Sequence, residues 1–377
     1  MNPLKVKAIV RKEVYHLIRD FRSLYLAFAI PLLLILLFGY ALSLDVNNID
    51  TIVVDQEKTD LSRNFIRHLN ASPYFNIVAH PSDTRTVARY LDHNHVKLAI
   101  IIPSGWTKDI RANREAQIQV LLDGSDPNFA GISRGYITAF IEGYNQQLLL
   151  DFLNREGLEK IKPPVEGLIR VWFNESLESR NFIVPGIIAI IIIIVGALLT
   201  SLVIAREYEN GTMETIRSLP INAGEFLLGK SIPYFFIGLT DVLIAIFMGQ
   251  VLFGVVMKAS FWLMIIASSI YLAVALTLGL LISVVTKSQL VANQAAILVT
   301  YLPSLLLSNF VFPIVNMPKV LGLVTYIVPA TYYIDILNGI YLKNLEFMHL
   351  WLSYLILMIM FIILSILNLV MLKKEGM

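Results

Sequence analysis

The chain has 377 residues, of which 56% are hydrophobic and 15% charged, with a mean hydropathy of +0.68 and a formal net charge of +2. Water-soluble chains carry about 25% charged residues, so the composition excludes a soluble protein and indicates an integral membrane one. There is no cysteine, which excludes disulfides, thiolate chemistry and zinc–thiolate sites, and no basic patch interleaved with aromatics marks a nucleic-acid surface.

At the N-terminus, Val6, Ile9, Val10, Val14, Leu17, Ile18 and Phe21 recur at helical spacing, with Lys5, Lys12 and Arg19 on the other side. Over residues 1–22 this predicts an amphipathic helix lying in the cytoplasmic interface; a plain positively charged flank is the alternative. Residues 23–44 are charge-free and long enough for a first transmembrane helix. The run is too long for a signal-peptide core and lacks a small-residue cleavage site, so it is expected to stay as an anchor.

Residues 45–180 differ in kind. They carry 33 of the 58 charges, 18 acidic and 15 basic. Short β-branched or apolar runs at 51–54, 97–102 and 118–122 predict strands, and helical patterns lie at 61–69 and 84–93. Asp123-Gly-Ser-Asp-Pro-Asn128 is dense turn chemistry, and a long helix is predicted over 129–155. The block reads as an α/β domain.

Apolar runs return at 181–205, 231–257, 259–286, 288–318 and 347–372, the second interrupted only by Asp241. The 288–318 run is too long for one simple span, and Pro303, Pro313 and Pro318 are expected to break its later part, with the span ending near Phe312. The expected fold is thus an α-helical membrane protein with six transmembrane helices, five of them within 181–372, and an inserted α/β extracytoplasmic domain. With six spans, twelve Lys and Arg residues fall on the side of the termini and three on the other outside the large block. That bias places both termini and the 373–377 tail in the cytoplasm, and residues 45–180 outside it, in the periplasm of a Gram-negative cell.

Four features bear on chemistry. Gly224-Glu-Phe-Leu-Leu-Gly229-Lys230-Ser231 fits the string of a phosphate-binding loop. No strand precedes it, its insert is good helix material, and a span follows directly, so the strand–turn–helix context is missing. Lys230 is expected to be a cytoplasmic flank reaching the headgroups. In the loop after the second span, Arg206, Glu207 and Glu209 sit at the membrane boundary, Gly211 permits a sharp reversal, and Thr212 is placed to cap a short helix. Met213, Ile216 and Leu219 share one face of that helix, Glu214 lies between them, and Pro220 stops it. An exposed apolar face on two turns of helix suits a groove on a partner; lying on the bilayer is the alternative.

Asp241 is a pathway or proton-linked carboxylate, or else a packing or shallow position. Gln250, Asn293, Gln294 and Asn309 are, with it, candidate pathway or packing residues able to hydrogen-bond between helices. The proline-bearing strings Phe312–Pro318 and Val328–Asp335 flank a stretch too broken for a full span, and an outer re-entrant hairpin over 313–341 fits. The six histidines make no credible metal set.

The strings Ile30-Pro-Leu-Leu-Leu-Ile-Leu-Leu-Phe-Gly-Tyr40, Asp123-Gly-Ser-Asp-Pro-Asn128, Phe182-Ile-Val-Pro-Gly186, Ala205-Arg-Glu-Tyr-Glu-Asn-Gly-Thr-Met-Glu214, Pro303-Ser-Leu-Leu-Leu-Ser308 and Val328-Pro-Ala-Thr-Tyr332 together resemble the type-2 exporter permeases of the ABC transporter superfamily. The Glu-x-Glu-x-Gly-Thr pattern is the most specific of them. The resemblance implies a bacterial inner-membrane permease subunit that exports a small molecule or amphiphile and has no enzyme activity of its own. ATP and magnesium would be used by separate ATPase subunits docked on a coupling helix over 211–219. It also implies a second permease chain, identical or paralogous, and a periplasmic membrane-fusion adaptor as a further partner. From the residues alone, a proton-coupled secondary transporter using Asp241, or a membrane sensor or assembly protein with a ligand-binding outer domain, stay as alternatives.

Overall fold

The computed structural model describes residues 2–19, 21–41, 48–92, 96–112, 114–125, 127–155, 180–314 and 317–376. They fall into two compact units, one within Leu44–Arg170 and one made of the segments on either side of it. His93, His95, Asp126 and residues 156–179 of the charged block lie outside the described residues.

The helical unit opens with α1 (Pro3–Arg19) and α2 (Phe21–Ala41). In the α/β unit, β1 (Ile49–Asp55) leads through α3 (Asp60–Ala71) to β2 (Phe75–Ala79), and α4 (Arg85–Asp92) leads to β3 (Leu98–Ile102). Then come α5 (Trp106–Arg111), β4 (Gln119–Leu122) and α6 (Pro127–Arg155). The sheet order is β2-β1-β3-β4, with the first three strands parallel and β4 antiparallel to β3. β3 is buried along its whole length, as expected of a strand covered on both faces. On one face Phe65 stacks edge-on against Trp106, Phe140 and Tyr144; on the other, Val87 and Val96 cover Ile52, Val54 and Ala99.

The α/β reading of the block therefore holds, but β2 and α5 are additions. Asn76 and Val78 of β2 are exposed, and an edge strand with one wet face gives a weak periodic signal.

Asp123 closes the sheet edge. Its carboxylate accepts from Lys97 Nζ at 2.8 Å and from the Ser125 amide at 3.0 Å, and the Lys97 hydrogen bond holds its carboxyl well below the usual range. A lowered folded-state value means the contribution is full above the ordinary aspartate value of about 3.9 and is lost as the pH falls below it. A Lys97→Met protein should lose part of this acid sensitivity, which melting curves at about pH 7 and about pH 3 would register.

The rest of the helical unit comprises α7 (Arg180–Glu209), α8 (Thr212–Ser218), α9 (Ala223–Phe253), α10 (Phe261–Thr286), α11 (Gln289–Ala296), α12 (Leu302–Leu306), α13 (Lys319–Thr325), α14 (Pro329–Tyr341) and α15 (Phe347–Lys374). Five described stretches are long and apolar enough to cross a membrane: α7, α9, α10, the continuous Gln289–Leu306 segment and α15; a sixth would be the α13–α14 pair, bent by 76°. α2 adds a further apolar helix of 21 residues. The architecture is a largely helical membrane protein with a non-membrane α/β region.

α7 is the axis of the helical unit, buried along most of its length. It meets α10 through small residues. A Cβ on Gly279 would run into the Ala197 backbone and Thr200, and one on Gly196 would lie 2.8 Å from the Ala275 side chain. Thr200 donates to the Leu276 carbonyl at 2.9 Å, and Ser283 Oγ accepts from the Ile204 and Ala205 amides at 3.0 and 2.8 Å. Tyr271 of α10 stacks on Tyr333 of α14 at 4.2 Å and donates to the Ala189 carbonyl of α7 at 3.2 Å.

The apolar helical stretch after Lys287 ends at Leu306, short of Phe312. A π-helical turn, Ile297–Tyr301, lies between α11 and α12, and the helical stretch continues through Pro303 to Leu306. Pro303 therefore does not break the span. Beyond it, Asn309 takes the left-handed conformation, φ 67°.

Candidate functional site

The phosphate-loop string is helical throughout. Asn222 and Glu225 form a capping box that starts α9, so Gly224–Ser231 presents no loop of free amides to a phosphate. Its Gly-Lys pair has another use. Gly229 is where α1 approaches α9: a Cβ there would lie 2.6 Å from that of Ile9. One residue on, Lys230 is buried, 3% exposed. Its Nζ donates to Glu13 Oε1 of α1 at 2.6 Å and to Glu207 Oε1 of α7 at 2.5 Å. Lys12 Nζ reaches the same Glu207 oxygen at 2.9 Å. Two cations and two carboxylates thus close one cluster over three helices. Lys230 is accordingly no flank reaching for headgroups, because the two carboxylates offer a nearer and drier partner.

α1 is amphipathic in a different sense from the one its periodicity suggests. Its buried seam is Ile9, Glu13 and Leu17, while Val14 and Ile18 are exposed. Further bonds fasten it: the Asn2 amide donates to Glu225 Oε1 at 2.6 Å, Lys5 Nζ donates to the Pro220 carbonyl, and Arg206 lies 3.3 Å from His16 Nδ1. Gly229→Leu should therefore force α1 off α9. Melting curves in detergent should show a loss of stability of about 1–3 kcal/mol.

Glu207 also reaches the loop. The Thr212 hydroxyl donates to its carboxylate and its carbonyl. α7 ends with the Asn210 amide on the Arg206 carbonyl, and Gly211 turns the chain at φ +69°, a conformation glycine adopts without a Cβ penalty. Gly211, not Thr212, is the N-cap of α8; Thr212 is spent on Glu207 instead. At the other end Leu219 is extended before Pro220, as a residue preceding proline must be.

The face of α8 is reversed from expectation. Met213 and Ile216 are buried in the chain's own core, while Thr212, Glu214, Thr215, Ser218 and Leu219 are exposed. The apolar pair anchors the helix, and the outward surface is polar with one apolar residue, Leu219. A second tether comes from the C-terminus. Glu375 accepts from Lys287 at 2.6 Å and from Arg217 of α8 at 3.2 Å, and Tyr208 lies under both cations. The Lys287 hydrogen bond keeps the Glu375 carboxyl below its usual range. Beside it, Glu209 accepts from the Gln289 amide at 2.8 Å and its side chain at 2.6 Å.

Asp241 sits in the middle of α9. It is 18 residues beyond Ala223, where α9 starts, about 27 Å along the helix, and buried, with neither carboxylate oxygen hydrogen-bonded among the described residues. Gln250, Asn293 and Gln294 are exposed, and Asn309 Oδ1 accepts from the Ile314 amide at 3.0 Å.

Glu13, Arg217, Lys287 and Glu375 are residues that sequence reasoning missed, and Lys230 it took for a flank. Only Glu13 left a readable sign, an acid four residues from Ile9 and from Leu17 on the apolar stripe. Among the described residues no group of three His, Cys, Asp or Glu is placed to hold a metal.

Comparison with known proteins fits this arrangement. Residues 21–370 match the family described as ABC-2 family transporter protein. The chain is 35% identical over 348 residues to the Escherichia coli protein named "Probable multidrug ABC transporter permease YbhS", covering 91% of each chain. It is 28% identical over 346 residues to the E. coli permease YbhR, again covering 91% of each. With the E. coli "Inner membrane transport permease YhhJ" it shares 26% identity over 274 residues, 71% of this chain and 70% of that one. The chain therefore belongs to the ABC-2 family of transporter proteins, as a multi-pass inner-membrane permease subunit that moves substrate with a separate ATPase and is not itself the enzyme.

Proposed function

We propose that this permease exports a small molecule or amphiphile, driven through α8 by ATP and magnesium bound on the ATPase subunits. The supporting observation is that α8 is held rigidly on its inner side and free on its outer one. Met213 and Ile216 are buried, Glu207 and Glu375 tether its two ends, and Leu219 stands exposed among polar residues. A load applied to that surface passes through Glu207 into α1 and α9 by the ion cluster. Closure of the ATPase pair would push two such helices together and shift the bundle from inward-open to outward-open.

In this reading α2, α7, α9, α10, the Gln289–Leu306 segment and α15 are six spans with both termini cytoplasmic. α1 lies in the cytoplasmic interface, residues 45–180 are periplasmic, and residues 313–341 form an outer re-entrant hairpin. Two permease chains work together, and the outer domain docks an adaptor. The name of YbhS supports a drug-like substrate class.

The test is ATP-dependent uptake of a fluorescent drug into inside-out vesicles whose proton gradient has been collapsed by an ionophore. Uptake that persists supports the reading; uptake that stops with the gradient contradicts it. Asp241 supports a second role, because a buried, unpartnered carboxylate inside a span is costly to retain. If it serves packing alone, Asp241→Asn leaves uptake unchanged; if it serves the pathway, uptake collapses while ATPase binding survives.

A further inference from the structure

One cavity of the helical unit is not used by the coupling site. It has a volume of about 750 Å³ and lies between α9, α10 and α15. Its floor is made of small or short side chains, among them Ser231, Ala273, Thr277 and Ser365, and its walls are leucines and phenylalanines. α15 is the least buried of the five long apolar stretches, with 17% of its most apolar window covered, and the rim residues Leu228 and Phe236 are exposed. In a membrane-spanning segment such an opening faces hydrocarbon.

Its length and its ends restrict what fills it. Along α9 the lining runs from Gly224 to Phe236, about 18 Å at 1.5 Å per residue. That is close to one leaflet, half of a hydrocarbon core about 30 Å thick. The end near Gly224 is also the end of α15 that carries Lys373 and Lys374, both exposed in its last turn. One turn before them, Asn368 donates its amide to the Thr277 and Leu364 carbonyls at 2.9 Å each, and its own Oδ1 has no partner among the described residues. The lining is therefore almost wholly apolar, and the two exposed lysines lie just beyond it, at the end of α15 that carries Asn368.

We propose that this cavity holds one anionic phospholipid, its acyl chain between α9, α10 and α15 and its headgroup on Lys373 and Lys374. The trough supplies apolar contact along one leaflet, and the lysines favour an anionic over a zwitterionic headgroup. Bound there, the lipid would brace α15 against α9.

The experiment is native mass spectrometry of the full chain purified in detergent and supplied with phosphatidylglycerol or phosphatidylcholine of identical chains. Wild type should retain one phosphatidylglycerol, with a preference of about tenfold over phosphatidylcholine. Lys373→Gln with Lys374→Gln, both on the surface, should abolish the preference. Ala273→Phe with Ser365→Phe should fill the trough and lose both lipids. Three results would overturn the proposal: no lipid retained by wild type, an undiminished preference in the double glutamine variant, or equal retention in a folded double phenylalanine variant.

Discussion

Lys230→Met is expected to give a permease that accumulates poorly and melts early. The substitution keeps most of the apolar stem of the side chain and removes the ammonium group with its charge and donors. Glu13 and Glu207 then remain buried with Lys12 as the single cation, where Lys230 had bridged them at 2.6 and 2.5 Å. Removing one partner of a buried ion pair costs about 3–5 kcal/mol, because the other charge stays desolvated. The companion variant separates charge balance from geometry. Lys230→Met combined with Glu13→Leu leaves Lys12 on Glu207 and should recover most of the lost stability, since apolar replacement of a buried pair is often neutral. A double-mutant cycle in detergent melting measures the coupling directly. If the cluster also carries load, the double variant folds and still transports poorly. A single variant as stable as wild type would show that Lys230 is not buried against these carboxylates.

The second large effect concerns the outward surface of α8. Leu219→Asp should leave melting within about 0.5 kcal/mol of wild type, because the side chain is 47% exposed. It should reduce ATPase co-purification by more than about tenfold, the effect of removing one apolar anchor from an interface centre. Met213→Asp should do the reverse in order of cause. Met213 is 2% exposed, so an aspartate there unseats α8 from the bundle, and any loss of ATPase follows from misfolding. Comparing the two by melting and by pull-down distinguishes a docking surface from an internal anchor.

How much of this was readable in the sequence depends on what each residue must do locally. Long charge-free runs and the Gly211 turn were legible because membrane insertion and backbone conformation are decided within a few residues. The short helix before Pro220 was legible for the same reason. Which way that helix faces was not, because Met213 and Ile216 look alike whether they seek a partner's groove or the chain's own core. Lys230 was misread because its partners are 217 and 23 residues away; sequence spacing carries no sign of such a contact. The Gly-Lys pair matched a nucleotide motif only as a string, while packing against Ile9 and pairing with two carboxylates account for both residues. The π-helical turn at Ile297–Tyr301 did leave a local sign, since Pro303 just beyond it lacks the amide that an unbroken α-helix would use.

The chain has no cysteine, so single cysteines placed on α8 report their neighbours without background. Thr215→Cys and Ser218→Cys, both outward-facing, should each cross-link to the ATPase subunit in membranes with a short bifunctional reagent, and more strongly when ATP is trapped. A cysteine at Asn76, on the exposed edge of the α/β unit, should give no ATPase adduct. Cross-links from Asn76→Cys, or none from either α8 position in a complex that still transports, would contradict a permease driven through α8.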